Sequence, residues 1–355
     1  MAAMNMAAIA NPGRMMADGI PWPDFAAATG ELPEGLDWFD FWASRGDEYE
    51  RLGQDALDRG DTISGGDWLW HASLSYHYAQ FMWFHDPARR EAGQKTKAEL
   101  YIRAAPHLVP AAERIEVPID DTVVPGYLRL PRVQADSYPC VVLIGGLEST
   151  KEESLLFEDL CLERGIATFA IDGPGQGEMF FDVGMVPDFE RYTSAVLDYL
   201  IDRPELDGSR IGILGRSLGG YYAPRAAAAD DRFAACVAWG AAFDISDLDQ
   251  MPPHTRAGFL YVTKKDSEEE AREQLTRSMD LRDVAPKLSC PMFLTHGLHD
   301  SIFSMSQVEL ARKYFPADKI EIVVEENGDH CAHNMAAIVR PQLADWMARA
   351  LGAGR

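Results

Sequence analysis

Hydrophobic spacing divides the chain near residue 113. Upstream, apolar residues recur at the three-and-four spacing of helices, as in EYERLGQDALDRG (48–60) and DWLWHASLSYHYAQFMWFHD (67–86). In the second stretch Trp68, Trp70, Tyr76, Tyr78, Phe81, Trp83 and Phe84 cover more than one helical face, with His71, His77 and His85 among them. A helix apolar all round is buried, or lies between a core and a ligand cavity. Downstream the pattern becomes short apolar runs. RIEVPI (114–119) and PGYLRL (125–130) read as an antiparallel opening pair. CVVLIGG (140–146), ATFAID (167–172), IGILGRS (211–217), ACVAWG (235–240), MFLTHG (292–297) and KIEIVVE (319–325) read as buried strands. Helical stretches at 151–164, 188–202, 218–229 and 305–315 separate most of them. This alternation predicts an α/β class, a mostly parallel sheet with helices on both faces. The expected division is an N-terminal helical cap over 1–112 and a sheet-bearing core over 113–355. A cap insertion is expected at about 241–290, with a polar helical stretch at 267–280.

Composition narrows the function. A chain of 355 residues with 47% hydrophobic residues can bury a large core, and its formal charge of −23 repels phosphate backbones and anionic membrane surfaces. Neither a nucleic-acid nor a membrane partner is therefore expected. Cys140, Cys161, Cys236, Cys290 and Cys331 show no paired spacing, so neither a zinc site nor a disulfide framework is expected. The opening MAAMNMAAIANPG lacks the basic start of a signal peptide, and no apolar run reaches membrane-spanning length. The expected location is the cytoplasm.

The chemistry concentrates in Gly215-Arg216-Ser217-Leu218-Gly219, between the strand IGIL and the small-residue helix GGYYAPRAAA. G-x-S-x-G alone is a weak signal. A strand before it and a helix after it give the sharp turn that exposes a nucleophilic serine, with the helix dipole favouring an oxyanion. A serine needs a general base oriented by a carboxylate, and in such folds they follow in the order acid, then His. Asp300 after MFLTHG and His330 after KIEIVVE meet that order, both just beyond the C-terminal ends of strands. His333 is the competing base. Asp329 reads as a turn residue, and His296 and His299 belong to the acid's loop. Cys331 beside the base reads as packing. The oxyanion hole should combine the Leu218 amide with one from Gly146 or Leu147. Asp172-Gly-Pro-Gly-Gln-Gly177 superficially suggests a dinucleotide loop, but Glu178 replaces its third glycine and Pro174 removes an amide. It reads as a rigid loop at the rim of the site, and no cofactor or metal is expected.

GGLESTKEES (145–154), DGPGQGEMF (172–180), LGRSLGG (214–220) and NGDHCAHN (327–334) together resemble the α/β-hydrolase family of 2,6-dihydroxypseudooxynicotine hydrolase. These are carbon–carbon bond hydrolases of bacterial nicotine breakdown, with fungal polyketide-shortening hydrolases as more distant relatives. The resemblance runs from MMADGIPWPDF (15–25) to the C-terminus. It implies an α/β-hydrolase core, an N-terminal helical cap, a homodimer, and a triad on Ser217, Asp300 and His330. It also implies a functional glutamate after the strand matching ACVAWG. Here AAFDISDLDQMPPHT (241–255) has none, and Asp244, Asp247 or Asp249 would have to serve. The aromatic block 68–85 is the expected pocket roof, with Trp68, His71, Tyr76, His77 and Asp249 as substrate contacts. The expected activity is cofactor-free hydrolysis of a C–C bond beside a ketone in a β-diketone or acylphenol-like substrate. The alternative is a carboxylesterase or lactonase acting on a bulky ester. A non-catalytic binding protein would have no need of a base and its orienting acid.

Overall fold

The computed structural model describes residues 10–30, 32 and 35–353; the opening run 1–9 lies outside them. Among the described residues five α-helices precede the sheet: α1 (Pro12–Ala17), α2 (Trp22–Thr29), α3 (Trp38–Asp58), α4 (Thr62–Gln80) and α5 (Pro87–Ala104). Their starts follow local chemistry. Asn11 and Asp86 accept N-terminal amides ahead of Pro12 and Pro87, and Asp37 caps α3 by accepting from Asp40 N. Helices α3 and α4 approach closely because small residues face the partner. A methyl group at Gly53 would meet Leu69 of α4, and one at Gly65 would meet Leu57 of α3. Trp38, Phe41, Trp42, Trp70, Tyr78 and Tyr101 form one core with Tyr127 of the sheet.

Eight strands follow: β1 (Ala112–Ile119), β2 (Thr122–Arg129), β3 (Tyr138–Ile144), β4 (Ala167–Ile171), β5 (Leu206–Arg216), β6 (Ala235–Trp239), β7 (Met292–Gly297) and β8 (Ile320–Glu325). They stand in the order β1-β2-β4-β3-β5-β6-β7-β8. The contacts β1/β2 and β2/β4 are antiparallel and all others parallel. Alternation along the strands feeds two cores. Val142, Ile144 and Ile213 face α7 (Glu190–Ile201) and α8 (Gly219–Ala229), whereas Val141, Leu143 and Leu214 face α6 (Leu155–Leu162) and α12 (Ala336–Ala350). This is the expected α/β-hydrolase arrangement.

Between β6 and β7 the chain leaves the sheet. Its two ends are tied by an Asp244–Asp280 bridge, and the excursion carries α9 (Pro253–Val262) and α10 (Glu268–Glu273). The helix expected over 267–280 ends early, because its last turn widens into a π-helical stretch at Gln274–Ser278. The remaining helix, α11 (Met305–Tyr314), connects β7 to β8. Among the described residues no helix is long and apolar enough to cross a membrane.

Candidate active site

Ser217 occupies the turn between β5 and α8 with φ +57°, a left-handed conformation that costs a non-glycine residue about 1–2 kcal/mol. Its amide is anchored to Trp239 O at 2.8 Å. The flanking glycines are steric necessities. A Cβ at Gly215 would overlap the Gly219 carbonyl, and one at Gly219 would overlap the Ile144 and Gly145 carbonyls.

From Ser217 Oγ a hydrogen-bonded chain runs through His330 Nε2 (2.8 Å) and from His330 Nδ1 to Asp300 Oδ2 (2.7 Å). Asp300 sits on the loop after β7, and its other oxygen accepts from the Ile302 and Phe303 amides at 2.8 and 2.9 Å. Burial alone would raise the Asp300 carboxyl. His330 and these amides overcome it and hold the group below its ordinary range. Burial would likewise lower His330, but the Asp300 carboxylate carries it well above the ordinary imidazole value. His330 opens the turn after β8, where Cys331 and Ala332 both take positive φ.

The competing residues make other contacts, although His333 lines the same cavity. His333 is buried with its ring centroid 6.5 Å from that of His330, and burial together with Arg216, Arg14 and Arg340 drives it well below the ordinary value. It has no hydrogen bond to Ser217. His296 Nε2 contacts Phe303 O at 3.0 Å, and the Asp329 carboxylate accepts from Asn11 Nδ2 at 2.9 Å. Cys331 Sγ lies 3.5 Å from His330 Nε2 and is buried against Trp239.

Gly146 lies against the nucleophile; a methyl group there would sit 3.0 Å from Ser217 Cβ. The amides of Leu218, Gly146 and Leu147 have no acceptor among the described residues. The 172–177 loop supports this arrangement. Gln176 Nε2 donates to the carbonyls of Gly145 (2.7 Å) and Gly146 (3.0 Å), which fixes the orientation of those peptides. Asp172 accepts from the Lys151 and Glu178 amides. The Glu152, Asp172 and Glu178 carboxylates cluster closely enough for a cation. Lys151 Nζ occupies that position at 2.7, 2.7 and 2.5 Å from them.

Ser217 and His330 open into a cavity of about 280 Å³. Its apolar walls include Trp38, Tyr78, Phe81, Met82 and Phe259, and α9 adds His254 and Thr255. The aromatic block thus reaches the cavity, but at other positions than expected. His71 lies two helical turns below Tyr78, about 10 Å at 1.5 Å per residue, stacked between Tyr49 and Trp70. Trp68 lies further down the same helix. Tyr76 is on the opposite face and donates to Asp47 at 2.5 Å. His77 is buried behind the wall, 2.8 Å from Glu153. Asp249 is exposed and paired with Arg272, so it does not reach the cavity. Asp244 is held by Arg282, Gln307 and Ser246.

Sequence reasoning missed Glu148, the carboxylate among the described cavity-lining residues. Its Oε2 accepts from Met82 N at 3.2 Å and faces Arg90 at 3.6 Å, and burial pushes the group up. Its place directly after Gly146-Leu147 was a usable signal. Arg14 and Arg216 also line the cavity. No local pattern announces Arg14, because its hydrogen-bond partners Ser149 and Glu153 lie more than a hundred residues away and its near neighbour Asp18 reads as an ordinary i,i+4 helix pair.

Comparison with known proteins places this chain among hydrolases. The esterase FrsA-like family model matches residues 34–252, and the prolyl oligopeptidase family model matches 159–354. The 2,6-dihydropseudooxynicotine hydrolase of Paenarthrobacter nicotinovorans is 43% identical over 97% of this chain and 93% of its own length. The crystal structure of 2,6-dihydroxy-pseudo-oxynicotine hydrolase superposes with a TM-score of 0.91, covering 96% of both chains. The hydrolyase poxO of Penicillium oxalicum is 33% identical over 57% of this chain and 51% of its own.

Proposed function

We propose, from the premise that this chain belongs to the FrsA-like esterase family, that it is a cofactor-independent serine hydrolase cleaving a carbon–carbon bond beside a ketone. The observation that carries this reading is the unbroken contact chain Ser217 Oγ–His330 Nε2 and His330 Nδ1–Asp300 Oδ2 at the mouth of an aromatic-walled cavity. The near full-length similarity to a pseudooxynicotine hydrolase supports the bond type.

In this reading His330 takes the Ser217 proton as the oxygen attacks the ketone carbonyl. The oxyanion is received by the Leu218 amide and by that of Gly146 or Leu147. Collapse breaks the carbon–carbon bond and expels a carbanion, which must be delocalised as an enolate or into an electron-rich phenolic ring. His330 returns the proton to that carbon. Water, deprotonated by His330, then hydrolyses the acyl-serine to a carboxylic acid. Asp300 stays ionised throughout and holds the imidazole. Aromatic walls suit a flat acylphenol or β-diketone. The cytoplasm as location and a homodimer as assembly belong to the same proposal; light scattering of the eluting protein tests the dimer.

The test is product identification by mass spectrometry after incubation with acylphenols, β-diketones and aryl esters. Formation of the phenol or ketone together with the carboxylic acid is the expected result. Turnover of esters alone would establish instead the carboxylesterase or lactonase that the esterase family model favours.

A further inference from the structure

The wall of the cavity carries more positive charge than its neighbours neutralise. Arg14 Nη2 donates to Glu153 Oε2 (2.9 Å) and Ser149 Oγ (3.3 Å). Arg216 Nη2 donates to Ser149 Oγ (3.0 Å) and to Glu153 Oε1, and its Nη1 lies 3.4 Å from Asp18 Oδ1. Behind them Arg340 donates to Asp18 at 2.5 Å, and Tyr78 donates to the other Asp18 oxygen at 2.9 Å. Three guanidinium groups thus face two carboxylates, Asp18 and Glu153, and 3 − 2 leaves one positive charge.

No nearby group cancels it. Burial lowers both His77 and His333, so neither adds or removes charge when neutral. Glu148 is offset by Arg90, and Asp300 is turned to His330. Three donor nitrogens also make no hydrogen bond among the described residues: Arg14 Nη1, Arg216 Nε, and Arg14 Nε, which lies 3.5 Å from Asp18 Oδ2. Both residues line the cavity with Ser217. This cationic wall stands out in a chain whose net charge is −23.

We propose that Arg14 and Arg216 form an anion subsite of the Ser217 cavity, so that the substrate is taken as an anion. The anionic group is an ionised acidic phenol or enol conjugated to the ketone, or a carboxylate substituent. The proposal rests on the reading of Ser217 as nucleophile. It deepens that reading, since the negative charge left on the departing fragment develops beside two guanidinium groups with donors to spare. A substrate without the negative charge leaves the excess cation of this largely buried wall unneutralised, and this sets the selectivity.

The test is calorimetric binding of two anions and their neutral isosteres to the full-length protein. The pairs are benzoate with benzamide, and 2,4-dinitrophenolate with 1,3-dinitrobenzene. At least one anion should bind on the order of tenfold to a hundredfold more tightly than its isostere, the strength of one or two charge-assisted hydrogen bonds. Which anion wins identifies the carboxylate or the phenolate source. In Arg14→Gln the preference should fall at least tenfold, and Arg14→Lys should restore part of it. Equal binding of anions and neutral isosteres in the wild type, or a preference untouched in Arg14→Gln, would overturn the subsite. Labelling of Ser217 by a fluorophosphonate is read in the same samples. Absence of label in the wild type counts against the nucleophile, whereas label without anion preference counts against the subsite alone. Label retained in Arg14→Gln shows that the variant is folded.

Discussion

The floor and the roof of the Ser217 cavity are built on different physical terms. The floor is backbone geometry: Ser217 in a left-handed turn, glycines that admit carbonyls where a methyl group would collide, and loop amides without acceptors. The roof is side-chain volume and buried charge. Trp38 and Tyr78 come from helices before the sheet, Phe81 from the turn that ends α4, and Arg14 is locked to Glu153 and Asp18. The floor can therefore serve one reaction type with many substrates, while the roof selects among them. Changes of the reacting side chains on the floor should destroy turnover and spare stability, and changes in the roof should instead alter substrate affinity or stability.

The largest effect belongs to the nucleophile. Ser217→Ala should lower kcat by about 10⁵–10⁶-fold while the melting temperature moves by no more than a surface change would, because the side chain is small and its amide anchor is kept. Steady-state kinetics beside a thermal melt checks both halves. Next comes Asp300→Asn, which should cost on the order of 10⁴-fold by losing the orienting carboxylate. It should also move the pH profile. Asp300 holds His330 above the ordinary 6.5, so activity in the wild type should fall as pH drops through a value higher than that, where His330 keeps its proton. In Asp300→Asn that acid limb should shift to lower pH, and a limb that stays in place would assign it to another group.

The contrast between floor and roof also explains what the sequence could reveal. The hydrogen-bonded grouping of Ser217, His330 and Asp300 was legible because each obeys a local rule: a strand, then a turn, then a polar residue at its end. Gly146 was legible for the same reason. Glu148, two positions on, was passed over although it directly follows Gly146-Leu147, because that adjacency places the residue near the nucleophile without telling whether its carboxylate faces the cavity or water. The aromatic block announced burial but not direction. Which of its rings meets the substrate depends on how α4 is rotated and how far along it the cavity lies, and those follow from contacts with α3 and α5. Trp68, His71 and Tyr76 failed for that reason. The short helix α1 leaves almost no periodic signal over six residues, although it delivers Arg14.

On the roof, Glu153→Gln should destabilise the fold by about 3–5 kcal/mol, since it leaves two buried guanidinium groups short of a partner. Burial alone would raise Glu153, but Arg14, Arg216 and His77 hold it well below its ordinary 4.5. Its contribution is therefore full above that pH and is lost as pH falls further. Denaturant titrations from pH 7 to 3 should show a steeper loss in the wild type than in Glu153→Gln. The smallest effect is that of Phe81→Leu, a change of shape at a cavity wall. It should cost less than about 1.5 kcal/mol in stability and appear mainly as a higher KM for flat aromatic ketones than for aliphatic ones. A fall in kcat with KM unchanged would move Phe81 from the roof to the floor.

The most direct measurement is intact-protein and peptide mass spectrometry of the enzyme quenched during turnover of an acylphenol. The expected result is an acyl group on the peptide bearing Ser217, released phenol equal to that adduct plus the carboxylic acid formed, and neither in Ser217→Ala. An intact ketone with no adduct, alongside an acyl-serine formed from aryl esters, would contradict carbon–carbon cleavage by this site.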